Sequence, residues 1–234
     1  MVDLYRGRVT TLLIASRNRH KIEEIGAILG ERFRFLTLDQ FPEAPVVEED
    51  EPTFARNAAK KARELAKWLQ GLDTFNYRIP GADAFVLADD SGLEVDALNG
   101  VPGVHSARFA AEEIPARSQP GVTAPSDAAN NTKLLRLLKD LPPDKRSARF
   151  RCVLVTIRIK PRQPTLAGQT FEGVCQGRIL SAGQGLGGFG YDPLFVPLGH
   201  NQSFGELGPE TKNKLSHRAQ ALQKLRRYLE TLKL

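Results

Sequence analysis

The chain has 234 residues, of which 41% are hydrophobic and 26% are charged, a composition typical of globular proteins and unlike that of disordered or membrane chains. Residues 1–20 carry five basic side chains, counting His20, and only a short apolar stretch, so they resemble neither a signal peptide nor a membrane span, and we expect a cytoplasmic protein with no membrane partner. The formal charge of +6 indicates an anionic partner, and because aromatic residues are scarce, at 7%, and are not interleaved with the basic ones, a small polyphosphate is favoured over nucleic acid.

The chain opens with a strand, a turn and a helix. Residues 9–15 read as a buried strand, 16–18 as a turn and 21–29 as a helix. Four basic residues, Arg17, Arg19, His20 and Lys21, crowd the start of this helix. A helix N-terminus is already positive, so these cations are unfavourable there unless an anion lies among them. An anion site and a solvated basic turn both remain open.

The second predicted helix, residues 53–70, follows an acidic loop at 48–51. Such a charge run is usually a solvated surface. Two further carboxylates make a functional role for this loop more plausible. The apolar strand at 84–88 ends at Asp89 and Asp90, before a predicted Ser-Gly turn. Mg²⁺ is commonly held by one or two carboxylates together with substrate phosphates, so these acidic residues point to chemistry on phosphate.

The middle of the chain is predicted to contain a loop and two paired strands. Residues 110–128 are rich in Ala, Pro and Ser and read as an exposed, dispensable loop, followed by a helix at 130–138. Residues 147–160 and 170–180 read as strands that pair in an antiparallel arrangement. They contain the two cysteines, Cys152 and Cys175, which we expect to be reduced core residues because no histidines are spaced with them as a zinc site.

A glycine-rich segment at 183–190 contains a formal G-x-G-x-x-G pattern. A dinucleotide fingerprint requires a helix immediately afterwards, and Pro193 and Pro197 forbid one. The segment is either a hairpin of turn glycines or a mobile loop that presents Phe189, Tyr191 and Asp192 to a base.

The last predicted helix covers residues 217–232, with Ser216 as its N-cap. Lys212, His217 and Arg218 lie close together near its start, which by itself is typical of a solvated face. No P-loop pattern occurs in the chain.

Taken in order, several short motifs resemble the inosine/xanthosine triphosphate pyrophosphatase family. Each is modest, but together they span residues 9 to about 230 in the family's order. They are Ser16-x-Asn18-x-x-Lys21, Glu48-Glu49 with Thr53-Phe54 and Asn57-Ala58, the run from Ala88 to Gly100, Pro102 to Arg108, Gly188 to Pro193, and Lys212-Asn213 with Ser216-His217-Arg218.

The resemblance implies a fold, an activity and a cofactor. The fold would be α/β, a single domain over residues 1–234 with a two-lobed mixed sheet flanked by helices and the active site in the cleft between the lobes. The activity would be Mg²⁺-dependent hydrolysis of the deaminated nucleotides ITP, dITP and XTP to the monophosphate and pyrophosphate, usually by a homodimer.

The resemblance also implies roles for individual residues. Asp90 would be the proton acceptor and, with Glu49, would bind the metal. The triphosphate and the base would be bound by the remaining site residues: Ser16, Arg17, Asn18, Arg19, His20, Lys21, Ser91, Phe189, Gly190, Tyr191, Asp192, Lys212, His217 and Arg218. The alternative of a different class is a non-catalytic nucleotide or nucleic-acid binding module, which explains the basic charge but not the adjacent carboxylates.

Overall fold

The computed structural model of the protein describes residues 9–79, 84–111, 125–160 and 167–232. Within these ranges the strands form one mixed six-stranded sheet, because β1 pairs in parallel with β2 and β3 while β5 and β6 are antiparallel. The predicted α/β class is confirmed. The strands, in sheet order, are β2 (Phe33–Thr37), β1 (Thr10–Ile14), β3 (Ala84–Val95), β4 (Ser147–Ile159), β5 (Gln169–Ile179) and β6 (Phe195–Pro197). The helices are α1 (Arg19–Leu29), α2 (Phe54–Gln70), α3 (Phe75–Arg78), α4 (Asp127–Leu138), α5 (Phe204–Leu215) and α6 (His217–Thr231).

The chain divides into two compact units. The first unit comprises residues 1–90, 153–172 and 221–234, and the second comprises residues 91–152 and 173–220. Strands β3, β4 and β5 each contribute residues to both units.

The core of the first unit follows the predicted patterns. Every residue of β1 is buried, including Thr10 and Thr11, as expected for a strand with a neighbour on each side. Helix α2 buries Phe54, Ala58, Ala62 and Leu65 at helical spacing, and its N-cap Thr53 accepts a hydrogen bond from the Arg56 amide. Both predicted elements are confirmed.

Strand β3 differs from its prediction. It does not end at residue 88 but continues through Asp89, Asp90 and Ser91 to Val95, so the predicted Ser-Gly turn is wrong. What ends near this point is the pairing with β1, whose last partners are Ile14 and Leu87. The other neighbour of β3 in the sheet is β4, which is 13 residues long. Asp89 and Asp90 therefore lie within β3, just past the point where its pairing with the parallel strand β1 ends.

The second unit has its own apolar core, built around β3, β4 and the aromatic residues Phe150, Tyr191, Phe195 and Phe204. Cys175 belongs to this core, and burial raises the pKa of its thiol to about 11. Both cysteines are buried thiols, as predicted.

Helices α4 and α5 differ from the sequence prediction, whereas α6 agrees with it. Helix α4 begins at Asp127, three residues before its predicted start, whereas most of the predicted loop at 110–128 lies outside the described residues. Helix α5 was not predicted, since Gly208 (φ 76°) and Pro209 interrupt its pattern. The predicted α6 is confirmed, and Ser216 Oγ accepts a hydrogen bond from the Ala219 amide at its start. None of the described helices is long and apolar enough to cross a membrane.

Candidate active site

The turn before α1 is organised by its own polar side chains. Ser16 Oγ accepts a hydrogen bond from the Asn18 amide, and Asn18, the N-cap, accepts one from the Lys21 amide. No acidic residue occupies the first turn of α1, where Arg19 and His20 are exposed. The helix dipole and the basic side chains thus add to one another, which favours an anion at this end.

Two of the basic side chains near this turn contact neighbouring protein groups. Arg17 donates a hydrogen bond to the backbone oxygen of Ala44, 3.2 Å away, and so ties the turn to the loop after β2. His20 Nδ1 lies 3.9 Å from the Glu23 carboxylate, one helical turn further on. Both side chains remain at the surface.

Lys21 reaches from α1 to the sheet. Its ammonium group donates a hydrogen bond of 2.7 Å to Asp89 Oδ1, and the Asp89 side chain is fully buried. A buried carboxylate is costly unless a cation compensates it, and Lys21 supplies that cation. The sequence prediction treated these two residues as separate features, and the structure joins them.

Lys61 was missed by the sequence prediction and lies at the centre of the acidic residues. Its ammonium group is 3.0 Å from Glu49 Oε1, 2.7 Å from the Asp89 backbone oxygen and 3.4 Å from Asp90 Oδ1. The available signal was a lysine on the apolar face of α2, between Ala58 and Ala62. We call Lys21, Glu49, Lys61, Asp89 and Asp90 the carboxylate cluster.

The acidic loop is held against α2 by Asn57. This residue is fully buried; its side-chain oxygen accepts from the Glu51 amide at 3.0 Å, and its side-chain nitrogen donates to the Glu51 backbone oxygen at 3.2 Å. The loop is therefore anchored two residues after Glu49, which brings one of its carboxylates into the cluster. The solvated alternative holds for Asp50, whose partner Lys60 lies outside the cluster.

Asp90 and Glu49 have perturbed pKa values. Burial raises the pKa of Asp90 to about 6, with Lys61 and Lys21 opposing the shift and Glu49 and Asp89 adding to it. Burial also acts to raise the pKa of Glu49, but Lys61, Lys21 and a hydrogen bond with the Asp90 carboxyl outweigh it, so that this pKa is lowered.

The cluster has the donor set of a metal site that is shared with a ligand. Asp90 Oδ2 is buried and has no hydrogen-bond partner among the described residues. Within the described ranges, no group of three or more His, Cys, Asp or Glu side chains could hold a metal alone. Two carboxylates that need further oxygen ligands fit Mg²⁺, which is usually completed by water and substrate phosphates.

The glycine-rich segment of the second unit is packed closely against α5. A Cβ atom on Gly185 (φ 80°) would lie 2.2 Å from the backbone of Gly205, and the Gly187 amide donates to the Gly205 oxygen. Gly188 (φ 75°) leaves room for the Asp192 carboxylate, which a Cβ atom would meet at 2.1 Å. These glycines are required by close approach as well as by turn geometry.

Asp192 and Tyr191 support the segment from inside. Asp192 Oδ2 accepts from the Phe189 amide at 2.8 Å and from Lys212 Nζ at 2.5 Å, and both charged side chains are buried. The Tyr191 ring belongs to the core, and its hydroxyl donates to the backbone oxygen of Ser106. The ring is therefore not presented to a base as the sequence prediction had it.

Aromatic and cationic side chains converge in the second unit. Lys212 Nζ lies 4.5 Å from the centre of the Phe189 ring, and the Arg218 guanidinium lies 5.9 Å from it. The His217 ring stacks on the Phe150 ring, with 4.8 Å between the ring centres and an angle of 13° between the ring planes. A cation above the face of an aromatic ring is attracted to it, and stacking of two rings restrains their relative orientation. We call Phe150, Phe189, Asp192, Lys212, His217 and Arg218 the aromatic cluster.

Arg218 connects the aromatic cluster to β3. Its side chain is 1% exposed, and its Nη2 atom donates a hydrogen bond of 2.9 Å to Ser91 Oγ. Ser91 directly follows Asp90, so the same strand carries a member of the carboxylate cluster and a partner of Arg218. The solvated alternative for His217 and Arg218 is wrong, because both are buried.

The chain is similar to known proteins over almost its whole length. The model of the Ham1 family matches residues 12–228. The dITP/XTP pyrophosphatases of Desulforamulus reducens and Geobacter sulfurreducens are each 43% identical to this chain; both matches cover 94% of it, with 96% and 97% of the respective relatives.

Solved structures give the same result. A Ham1 protein of Staphylococcus aureus matches with a TM-score of 0.72 and 34% identity, covering 95% of this chain and all of that one. A nucleoside-triphosphatase and dITP/XTP pyrophosphatase of Mycobacterium abscessus matches with a TM-score of 0.65 and 36% identity, covering 92% and 98%. The fold and the sequence thus define the same class of mixed α/β proteins. The chain belongs to the Ham1 family.

Proposed function

We propose that the protein hydrolyses deaminated purine nucleoside triphosphates, namely ITP, dITP and XTP, to the monophosphate and pyrophosphate. Curated relatives that match almost the whole of both chains are named dITP/XTP pyrophosphatases. The observation that carries the chemistry is the carboxylate cluster, in which Asp90 Oδ2 is buried without a hydrogen-bond partner among the described residues beside Lys61 and Glu49. A non-catalytic binding module has no use for such a group.

The triphosphate would be bound by the start of α1 and by the two lysines. Lys21 and Lys61 contact carboxylates of the cluster, so their charges are compensated before the substrate arrives. Each ammonium group has three donors, so a substrate phosphate can bind to it while the contact with the carboxylate is kept. The first-turn amides of α1, with Ser16 to His20 around them, would bind the phosphate that lies furthest from the base.

Mg²⁺ would be held by Glu49 and Asp90, which fit it for the reasons given above. When bound, the metal stabilises the negative charge that develops on the departing pyrophosphate. Asp90 would accept the proton of the water that attacks the α-phosphorus, and Lys61 would hold the Asp90 carboxylate in place. The contribution of the protein is mainly positioning and electrostatics.

The base would be recognised by the aromatic cluster. Hypoxanthine and xanthine present a carbonyl acceptor at the six-position, where adenine presents an amino donor. His217 and Arg218 can donate to a carbonyl, and the arginine cannot accept from an amine, so adenine leaves buried donors unpaired. The Phe189 ring offers a flat surface for stacking. By resemblance to the family, we also infer a cytoplasmic homodimer.

The test is release of pyrophosphate from ITP, XTP, GTP and ATP by the purified protein, with Mg²⁺ and with excess EDTA. We expect turnover of ITP and XTP, far less of ATP, and none after chelation, with recovery when Mg²⁺ is restored. Binding of ITP without release of pyrophosphate would establish the non-catalytic alternative. Turnover that survives chelation would remove the metal from the mechanism.

A further inference from the structure

The backbone of Gly190 is held on both sides by side chains of α4. The Gly190 amide donates a hydrogen bond of 2.6 Å to Asp127 Oδ2, and its carbonyl oxygen accepts one of 3.0 Å from Asn131 Nδ2. Asp127 and Asn131 are four residues apart, so they lie on the same face of the helix. We call this pair of hydrogen bonds the Gly190 clamp.

The clamp acts on a residue with little conformational restraint of its own. Gly190 has φ 62°, and a Cβ atom built on it would meet nothing within 4 Å, so packing does not hold it in this conformation. Two side-chain hydrogen bonds, one of them to a carboxylate, can supply that restraint. Asn131 Oδ1 is also buried without a hydrogen-bond partner among the described residues, an arrangement that costs free energy.

The neighbouring residue is Phe189, whose ring faces Lys212. Its own amide donates to Asp192 Oδ2, so the backbone is held on both sides of the Phe189 side chain: by the Asp192 carboxylate before it and by the clamp after it. A backbone fixed on both sides limits the positions from which the ring can be presented to a stacked base.

We propose that Asp127 and Asn131 are positioning residues for base recognition, which act through Gly190 on the Phe189 ring. The proposal rests on the proposed function and deepens it, because it assigns part of the selectivity among nucleotides to a helix outside the aromatic cluster. It predicts that the clamp affects substrates through their base and not through their triphosphate.

The test compares Asp127→Ala and Asn131→Asp with two controls on the same helix. Asn131→Asp keeps the size of the side chain but replaces the donor that faces the Gly190 carbonyl. Ser126→Ala removes the N-cap, whose Oγ accepts from the Ala129 amide, and Thr132→Ala changes an exposed hydroxyl that bonds only within the helix. Ser126→Ala should lower the stability of the helix and Thr132→Ala should leave it nearly unchanged, and neither variant removes a hydrogen bond to Gly190.

We expect kcat/KM for ITP to fall about tenfold or more in each clamp variant, mainly through a higher KM, because loss of a charge-assisted hydrogen bond or a displacement of about 1 Å has effects of this size. The ratio of kcat/KM for ITP to kcat/KM for ATP should become smaller. Inhibition by inorganic triphosphate, which has no base, should be unchanged. In a Phe189→Ala background, Asp127→Ala should add less than about twofold, since both changes remove the same contact. Ser126→Ala should lower Tm with the ratio intact.

The outcomes separate the two proposals. If the unaltered protein fails to release pyrophosphate from ITP, the proposed function is wrong. If the unaltered protein does release pyrophosphate, two results would make the clamp only structural. One is a normal ratio of kcat/KM for ITP to that for ATP in the clamp variants, and the other is an effect of these variants that adds fully to that of Phe189→Ala.

Discussion

The carboxylate cluster and the aromatic cluster both bury charged side chains, but they do so in different ways. In the carboxylate cluster three carboxylates face two lysines, and one carboxylate oxygen of Asp90 has no hydrogen-bond partner among the described residues. In the aromatic cluster Lys212 is matched to Asp192, and ring faces cover the cations. The first arrangement leaves an excess of negative charge for a cation to neutralise, whereas in the second the charge of Lys212 is balanced by Asp192.

This difference predicts that isosteric removal of charge is most damaging in the carboxylate cluster. Asp90→Asn should abolish turnover, because the loss of a general base alone costs about 10²- to 10⁴-fold and the loss of a metal ligand adds to it. The measurement is pyrophosphate release from ITP, with Tm and calorimetric ITP binding as checks on the fold. Normal activity in the folded variant would exclude Asp90 as the proton acceptor.

Lys21→Met tests whether compensation of buried charge matters as much as contact with phosphate. It removes the cation beside the buried Asp89 carboxylate, so we expect a loss of about 2 kcal/mol or more in the free energy of unfolding, together with weaker ITP binding. Adding Asp89→Asn should recover stability without recovering activity. Lys21→Arg should restore only part of the activity, because a planar guanidinium fills a phosphate site differently.

Lys60→Met is the matched control for this experiment. Lys60 pairs with the exposed Asp50 outside the cluster, so its removal should change neither stability nor turnover appreciably. An unchanged unfolding curve for Lys21→Met as well would assign Lys21 to the solvated turn.

Arg218→Ala tests the aromatic cluster, where we expect a smaller effect that depends on the substrate. A buried donor without an acceptor costs about 1 to 3 kcal/mol, so losing this donor should narrow the ITP-to-ATP ratio of kcat/KM about tenfold or more. ITP should lose far more activity than ATP. An equal loss for both nucleotides would instead make Arg218 a phosphate or structural residue.

The smallest effect is expected from shortening the segment between Ala111 and Pro125. Its Ala, Pro and Ser composition offers little to a core, and no predicted site residue falls in it. A deletion that spares Asp127 should retain turnover and the ITP-to-ATP ratio. A folded protein that has lost turnover would show that the segment takes part in catalysis.

Much of the local structure could be predicted from the sequence. The buried β1, the amphipathic helices α2 and α6, and the cap Ser216 could be predicted because each depends on residues close together in the sequence. Strand β3 was predicted too short, because its continuation past Ala88 depends on a neighbouring strand rather than on its own sequence. Helix α5 was missed because Gly208 breaks its pattern locally while the flanking turns remain helical.

The order of the motifs along the chain determined the family, and with it the residues expected at the site. The tertiary structure decided how those residues are paired: Lys21 with Asp89, Lys61 with Glu49 and Asp90, Lys212 with Asp192, and Gly190 with α4. Local patterns report whether a side chain faces the core, because they follow the period of a helix or a strand. Partners of a buried charge come from 12 to 68 residues away in these pairs, so only the packing of strands and helices brings them together.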